Sequence, residues 1–113
     1  MKSKIVSLSK NDEFKSLLNG KKISNKYSLI FFKRLKDKNV NKLNISFVAK
    51  KKLGNAILRN KIKRRLRNIM NEVCKKIDIN LKYSYLIIAK KIIFEDKYEN
   101  IKKTLLIDFK KIK

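Results

Sequence analysis

The chain has 113 residues, 43% hydrophobic and 36% charged, with 32 Lys and Arg against 9 Asp and Glu for a net charge of +23. That length suits one domain, residues 1–113, and the apolar share is enough to build a core, which argues against disorder. With Cys74 the only cysteine and no histidine, an intramolecular disulfide, a His/Cys zinc site and a His-based catalytic dyad are all excluded, and a reducing cytoplasm is the expected setting.

The acids are few and scattered, so a paired-carboxylate site is not expected. The start of the chain lacks the apolar run of a signal peptide, and no stretch approaches the roughly 20 apolar residues of a membrane span. A charge of +23 calls for a polyanionic partner, above all nucleic acid. Lysine-biased composition explains part of the excess, as the absence of Pro and the two glycines suggest. It explains the arginines less well. They occur at Arg34 and then only in the cluster Arg59, Arg64, Arg65 and Arg67.

Taken in order, Ser9 is a candidate helix cap and Asp12 and Glu13 suit a first turn. Phe14, Leu17 and Leu18 repeat at helical spacing, and Gly20 is a fitting stop, so a helix is expected over 11–18. A short strand is expected around Ile23. Residues 27–35 are aromatic and β-branched and read as a strand. Alternation puts Tyr27, Leu29, Phe31 and Lys33 on one face and Ser28, Ile30, Phe32 and Arg34 on the other. A turn-rich loop over 36–42 precedes a second strand, 43–49. Leu43, Ile45, Phe47 and Ala49 share its apolar face, with Asn44 and Ser46 opposite. Pairing of these two strands as antiparallel neighbours is the expectation.

Gly54 and Asn55 then mark a helix start. The helix should run over 56–77 on a stripe of Leu58, Ile62, Leu66, Ile69, Met70, Val73 and Ile77. No acid occurs between Asp37 and Glu72, so over the first half of the helix the arc outside the stripe carries one sign of charge, while the second half is milder, with Glu72 beside Lys75 and Lys76. Tyr83 to Ala89 is nearly all apolar, as in a central strand covered on both faces. Glu95 and Asp96 open a last helix with Tyr98, Ile101, Leu105, Phe109 and Ile112 inward. The fold class is α+β, one sheet with an N-terminal helix, a long basic helix and a C-terminal helix.

Three features invite a functional reading. The basic helix is a phosphate-binding surface or a solvated face, and its single sign of charge favours phosphate. The aromatic strand is a base-stacking platform or plain core, and spacing alone favours core. Cys74 has no motif partner and reads as a small, partly buried side chain.

Lys51-Lys52-Leu53-Gly54-Asn55-Ala56, followed by Arg59-Asn60-Lys61-Ile62-Lys63-Arg64-Arg65-Leu66-Arg67, resembles the RNR motif of the protein subunit of bacterial ribonuclease P. Phe14 in its Asn-Asp-Glu-Phe setting and Tyr85-Leu86-Ile87-Ile88-Ala89-Lys90-Lys91 fit as well. The resemblance implies a two-layer α/β sandwich of about four strands, with a left-handed βαβ crossover carrying the motif helix. It implies a protein that binds a catalytic RNA, one protein per RNA, and assists removal of the 5′ leader of precursor tRNA. Catalysis and Mg²⁺ would lie mainly with the RNA and substrate. Lys51, Lys52, Arg59, Asn60, Lys61, Lys63, Arg64, Arg65 and Arg67 would meet the RNA subunit. Phe14, Leu18, Leu29 and Phe31 would form the leader cleft, with Leu18 and Phe31 standing where other members often carry Phe and Tyr. No residue of the chain would be catalytic or metal-binding. The alternative is a ribosomal or other structural RNA-binding protein.

Overall fold

The computed structural model describes residues 5–6, 11–35 and 41–112. The elements are β1 (Ile5–Val6), α1 (Asn11–Leu18), β2 (Lys21–Ser24), β3 (Ser28–Lys33), β4 (Leu43–Val48), a 3-10 turn (Lys51–Leu53), α2 (Ala56–Lys76), β5 (Ser84–Ala89), a second 3-10 turn (Lys91–Phe94) and α3 (Tyr98–Lys111). The Ser9 cap and most of the loop over 36–42 lie outside the described residues.

The sheet order is β1-β4-β5-β3-β2. β5 is buried along its whole length, as its apolar run requires, and this places it at the centre. It pairs antiparallel with β3, from Ser28 opposite Ala89 to Lys33 opposite Ser84. On its other side it pairs parallel with β4. The expected β3–β4 hairpin is therefore corrected: β5 stands between them. A strand buried on both faces gains most with a neighbour on each edge, and β3 and β4 supply those neighbours. The hairpin partner of β3 is β2 instead.

Registration sorts the side chains into two faces. Ile30, Phe32, Ile45, Tyr85 and Ile87 pack with Ile62, Leu66, Ile69, Met70 and Val73 of α2 and with Ile101, Leu105 and Phe109 of α3. These two layers hold the main core. Leu17 of α1 packs on Phe31, Leu86 and Ile88 of the opposite face. With only eight residues, α1 covers just part of that face. Tyr27 leaves the face of Leu29 and Phe31 because β3 begins one residue later; its ring joins the main core. Asn44 and Ser46, expected to be outward, are 4% and 7% exposed, since the face they occupy is shared with Leu86 and Val48. Cys74 is half-buried beside the stripe of α2.

The start of α2 follows local chemistry. The Asn55 side chain accepts the Leu58 N–H at 2.9 Å, satisfying a first-turn donor. Gly54 has φ +146°, and a Cβ there would lie 2.6 Å from Leu58 Cδ2. Gly54→Ala is therefore expected to lower stability by about 1–2 kcal/mol, read as a lower urea midpoint. An unchanged midpoint would mean that the turn into α2 tolerates a side chain.

Candidate nucleic-acid interface

The apolar stripe of α2 fixes where its cations go. With Ile62, Leu66, Ile69, Met70 and Val73 against the sheet, Asn60, Lys61, Lys63 and Arg64 are exposed, and Arg59, Arg65 and Arg67 are half-buried at the flanks. Lys51 and Lys52 are exposed on the turn just ahead. All nine residues singled out for RNA contact thus sit on α2 or its leading turn. The first turn of α2 contains no acid, so neither the helix dipole nor the side chains there are neutralised. The ion pairs Lys26–Asp96, Lys102–Glu72 and Lys111–Asp108 lie around α3 and the second half of α2.

Each flank of α2 opens on a hollow. Toward the β4 edge, Lys63 and Arg67 join Phe14, Ser46, Phe47, Val48 and Ala49 around about 380 Å³. Arg67 lies over the Phe47 ring, 5.8 Å from its centroid. Toward α3, Lys61, Arg64, Arg65 and Asn68 face Tyr98 across about 440 Å³. Here Arg65 Nη2 donates to the Asp96 carbonyl at 2.7 Å, and its guanidinium lies 5.9 Å from the Tyr98 ring centroid.

Hydrogen bonds brace this second flank. The Tyr98 hydroxyl donates to the Glu72 carboxylate, which also accepts from Lys102 at 3.3 Å. Burial first, then Glu72, pushes the Tyr98 hydroxyl up to about 12. The Glu72 carboxyl is held below its ordinary range by the same Tyr98 bond and by Lys102. The Asp96 carboxyl is lowered to about 2, chiefly by the Tyr27 hydroxyl, then by Asn100 and the Lys97 N–H. Both tyrosines stay neutral and both carboxylates charged at ordinary pH.

The expected leader residues fall out unequally. Phe14, Leu29 and Phe31 gather in one apolar cluster with Leu17, Leu86, Ile88 and Val48. Phe31 is only 9% exposed beneath α1, and Leu18 is 48% exposed and outside that cluster. Leu29 and Ile88 floor a hollow of about 410 Å³ whose rim carries Lys50, Lys52, Lys90 and Lys91. Lys90 and Lys91 went unselected in the sequence. The signal for them was the parallel pairing of β4 and β5, which brings the residues after both strands to one end of the sheet. Lys90 is tied there by bonds from its ammonium to Ser24 Oγ at 3.0 Å and the Asn25 carbonyl at 2.6 Å. Among the described residues, no three His, Cys, Asp or Glu side chains form a metal-holding group, and no helix is long and apolar enough to cross a membrane.

Comparison with known proteins shows the family. The family described as Ribonuclease P matches residues 2–113. The chain is 42% identical over 114 residues to the ribonuclease P protein component of Fusobacterium nucleatum, covering 94% of this chain and 96% of that one. It is 34% identical over 113 residues to the component of Mycoplasma mycoides, covering 100% of both. The solved ribonuclease P protein of Staphylococcus aureus has a TM-score of 0.69 at 29% identity, over 88% of this chain and 87% of that one. The protein from Thermotoga maritima shares the fold, with a TM-score of 0.79 at 24% identity over 96% and 98% of the two chains. The chain belongs to the ribonuclease P protein family.

Proposed function

We propose that this chain is the protein component of a ribonuclease P holoenzyme in the cytoplasm, binding the catalytic RNA and the 5′ leader of precursor tRNA. The observation that carries the reading is the single-signed arc of the first half of α2, held outward by a stripe that is buried on the sheet. Such an arc meets phosphates with little regard for sequence, and affinity should fall steeply with salt. One protein serves one RNA. Cleavage of the leader is hydrolysis, and the RNA and substrate hold the Mg²⁺ that supports it. The excess of 32 Lys and Arg over 9 Asp and Glu supports that division, because a surface of that charge repels a dication instead of coordinating it.

The leader is the second ligand. Phe14 and Leu29 offer half-buried apolar surface, and Lys52, Lys63 and Arg67 flank it at phosphate-reaching positions. That mixture suits single-stranded RNA, with bases on the apolar floor and the backbone along the cations. Phe31 supports the floor from beneath, and Leu18 sits at the outer margin of α1.

Phe14→Ala tests the leader path. In the reconstituted holoenzyme, KM for precursor tRNA should rise roughly fivefold with kcat little changed. Binding of mature tRNA, which lacks the leader, should be unaffected. A loss confined to kcat, or an equal loss for both RNAs, would place the leader elsewhere.

A further inference from the structure

We infer that Asp96 and Tyr98 are positioning residues that hold the Arg65 guanidinium in the groove between α2 and the start of α3, aimed at a backbone phosphate of the catalytic RNA. This rests on the RNA-binding reading above and adds to it two residues of the C-terminal segment. The groove of about 440 Å³ is lined by Lys61, Arg64, Arg65, Asn68 and Tyr98. Three cations and an amide donor therefore face one hollow with no carboxylate in its lining.

The neighbouring acids are turned away. The Asp96 carboxylate receives the Tyr27 hydroxyl, the Lys97 N–H and the Asn100 amide, so only its backbone carbonyl meets Arg65. Glu72 is taken by Tyr98 and Lys102. Arg65 is consequently held by a neutral carbonyl and an aromatic face, neither of which cancels its charge. A guanidinium used only for folding would be expected to meet a carboxylate. Held through one Nη2 hydrogen, Arg65 keeps its Nη1 hydrogens and the second Nη2 hydrogen for an anion and has already lost the rotamer freedom that binding would otherwise remove. Asp96 and Tyr98 are positioning residues that act through Arg65.

The test measures affinity of the full-length protein for bacterial ribonuclease P RNA across a salt series. Arg65→Lys keeps the charge but lacks the fork, and should bind about tenfold more weakly. Tyr98→Leu should bind roughly fivefold more weakly, with the slope of log affinity against log salt shallower by nearly one contact. Tyr98→Phe keeps the ring and should stay within about twofold of the parent. A merely structural Tyr98 would leave the salt slope of a folded Tyr98→Leu protein unchanged, and that result overturns the inference. Lys63→Glu on the opposite flank separates the two levels. If it weakens binding while Arg65→Lys and Tyr98→Leu do not, the groove proposal fails and the RNA surface stands. If none of the three weakens binding, the RNA surface itself is wrong.

Discussion

Reversing both Lys63 and Arg64 to Glu is expected to weaken binding of the catalytic RNA by about a hundredfold at moderate salt, with the fold left intact. Both side chains are exposed on the outward arc of α2, one toward the β4 flank and the other toward α3. Each reversal removes a charge-assisted phosphate contact and adds a repulsion. Taken at about 1.5 kcal/mol per site, two sites give roughly 3 kcal/mol, or about a hundredfold. The deficit should shrink as salt rises, because screening weakens attraction and repulsion alike. Stability should hold or improve. Glutamate is as good a helix former as Lys or Arg, the carboxylate introduced by Lys63→Glu would precede Arg67 at the favourable i, i+4 spacing, and the self-repulsion of a +23 chain is relieved. Filter binding and a thermal melt on the same sample check both halves. Unchanged affinity in a folded protein would show that α2 is not the RNA surface.

Leu66→Ala should cost about 3 kcal/mol of folding stability and lower Tm by about 10 °C. Leu66 is fully buried at the middle of the stripe that presses α2 to the sheet, beside Ile62, Ile69 and Met70. Closely packed neighbours on a sheet cannot collapse into the space, so the lost transfer energy is joined by a cavity cost. Ile57, on the same helix but 69% exposed, is the contrast, and its change to Ala should be nearly neutral. Excess catalytic RNA should recover part of the lost Tm, since a ligand that binds only the folded state stabilises it by mass action. A Leu66→Ala protein as stable as the parent would mean that the stripe is not what holds α2 down.

Elements with strong local signals were legible in the sequence. The run Tyr83 to Ala89 announced a central strand, Gly54-Asn55 announced the entry to α2, and the three-and-four spacing of α2 assigned its buried face in advance. Strand pairing was not legible, because proximity along the chain favours a hairpin of β3 with β4, while the insertion of β5 depends on how three strands share one core. The same limit explains Asn44 and Ser46, which alternation puts outward and the sheet's second covered face takes in. On the candidate site, helical spacing put the residues from Arg59 to Arg67 on one helix, and they lie on α2. What it could not convey is tertiary. Arg65 meets the Asp96 carbonyl 31 positions away, Phe31 lies under α1 where its ring is buried, and Lys90 reaches the cleft rim only through the parallel β4–β5 pairing.

The most direct test adds the purified protein to bacterial ribonuclease P RNA and precursor tRNA at low Mg²⁺ and measures release of the 5′ leader. A chain that serves the catalytic RNA through α2 and the leader through the Phe14 cleft should restore cleavage at the mature 5′ end, and should cleave nothing when the RNA is left out. No stimulation of the RNA, or cleavage by the protein alone, would contradict it.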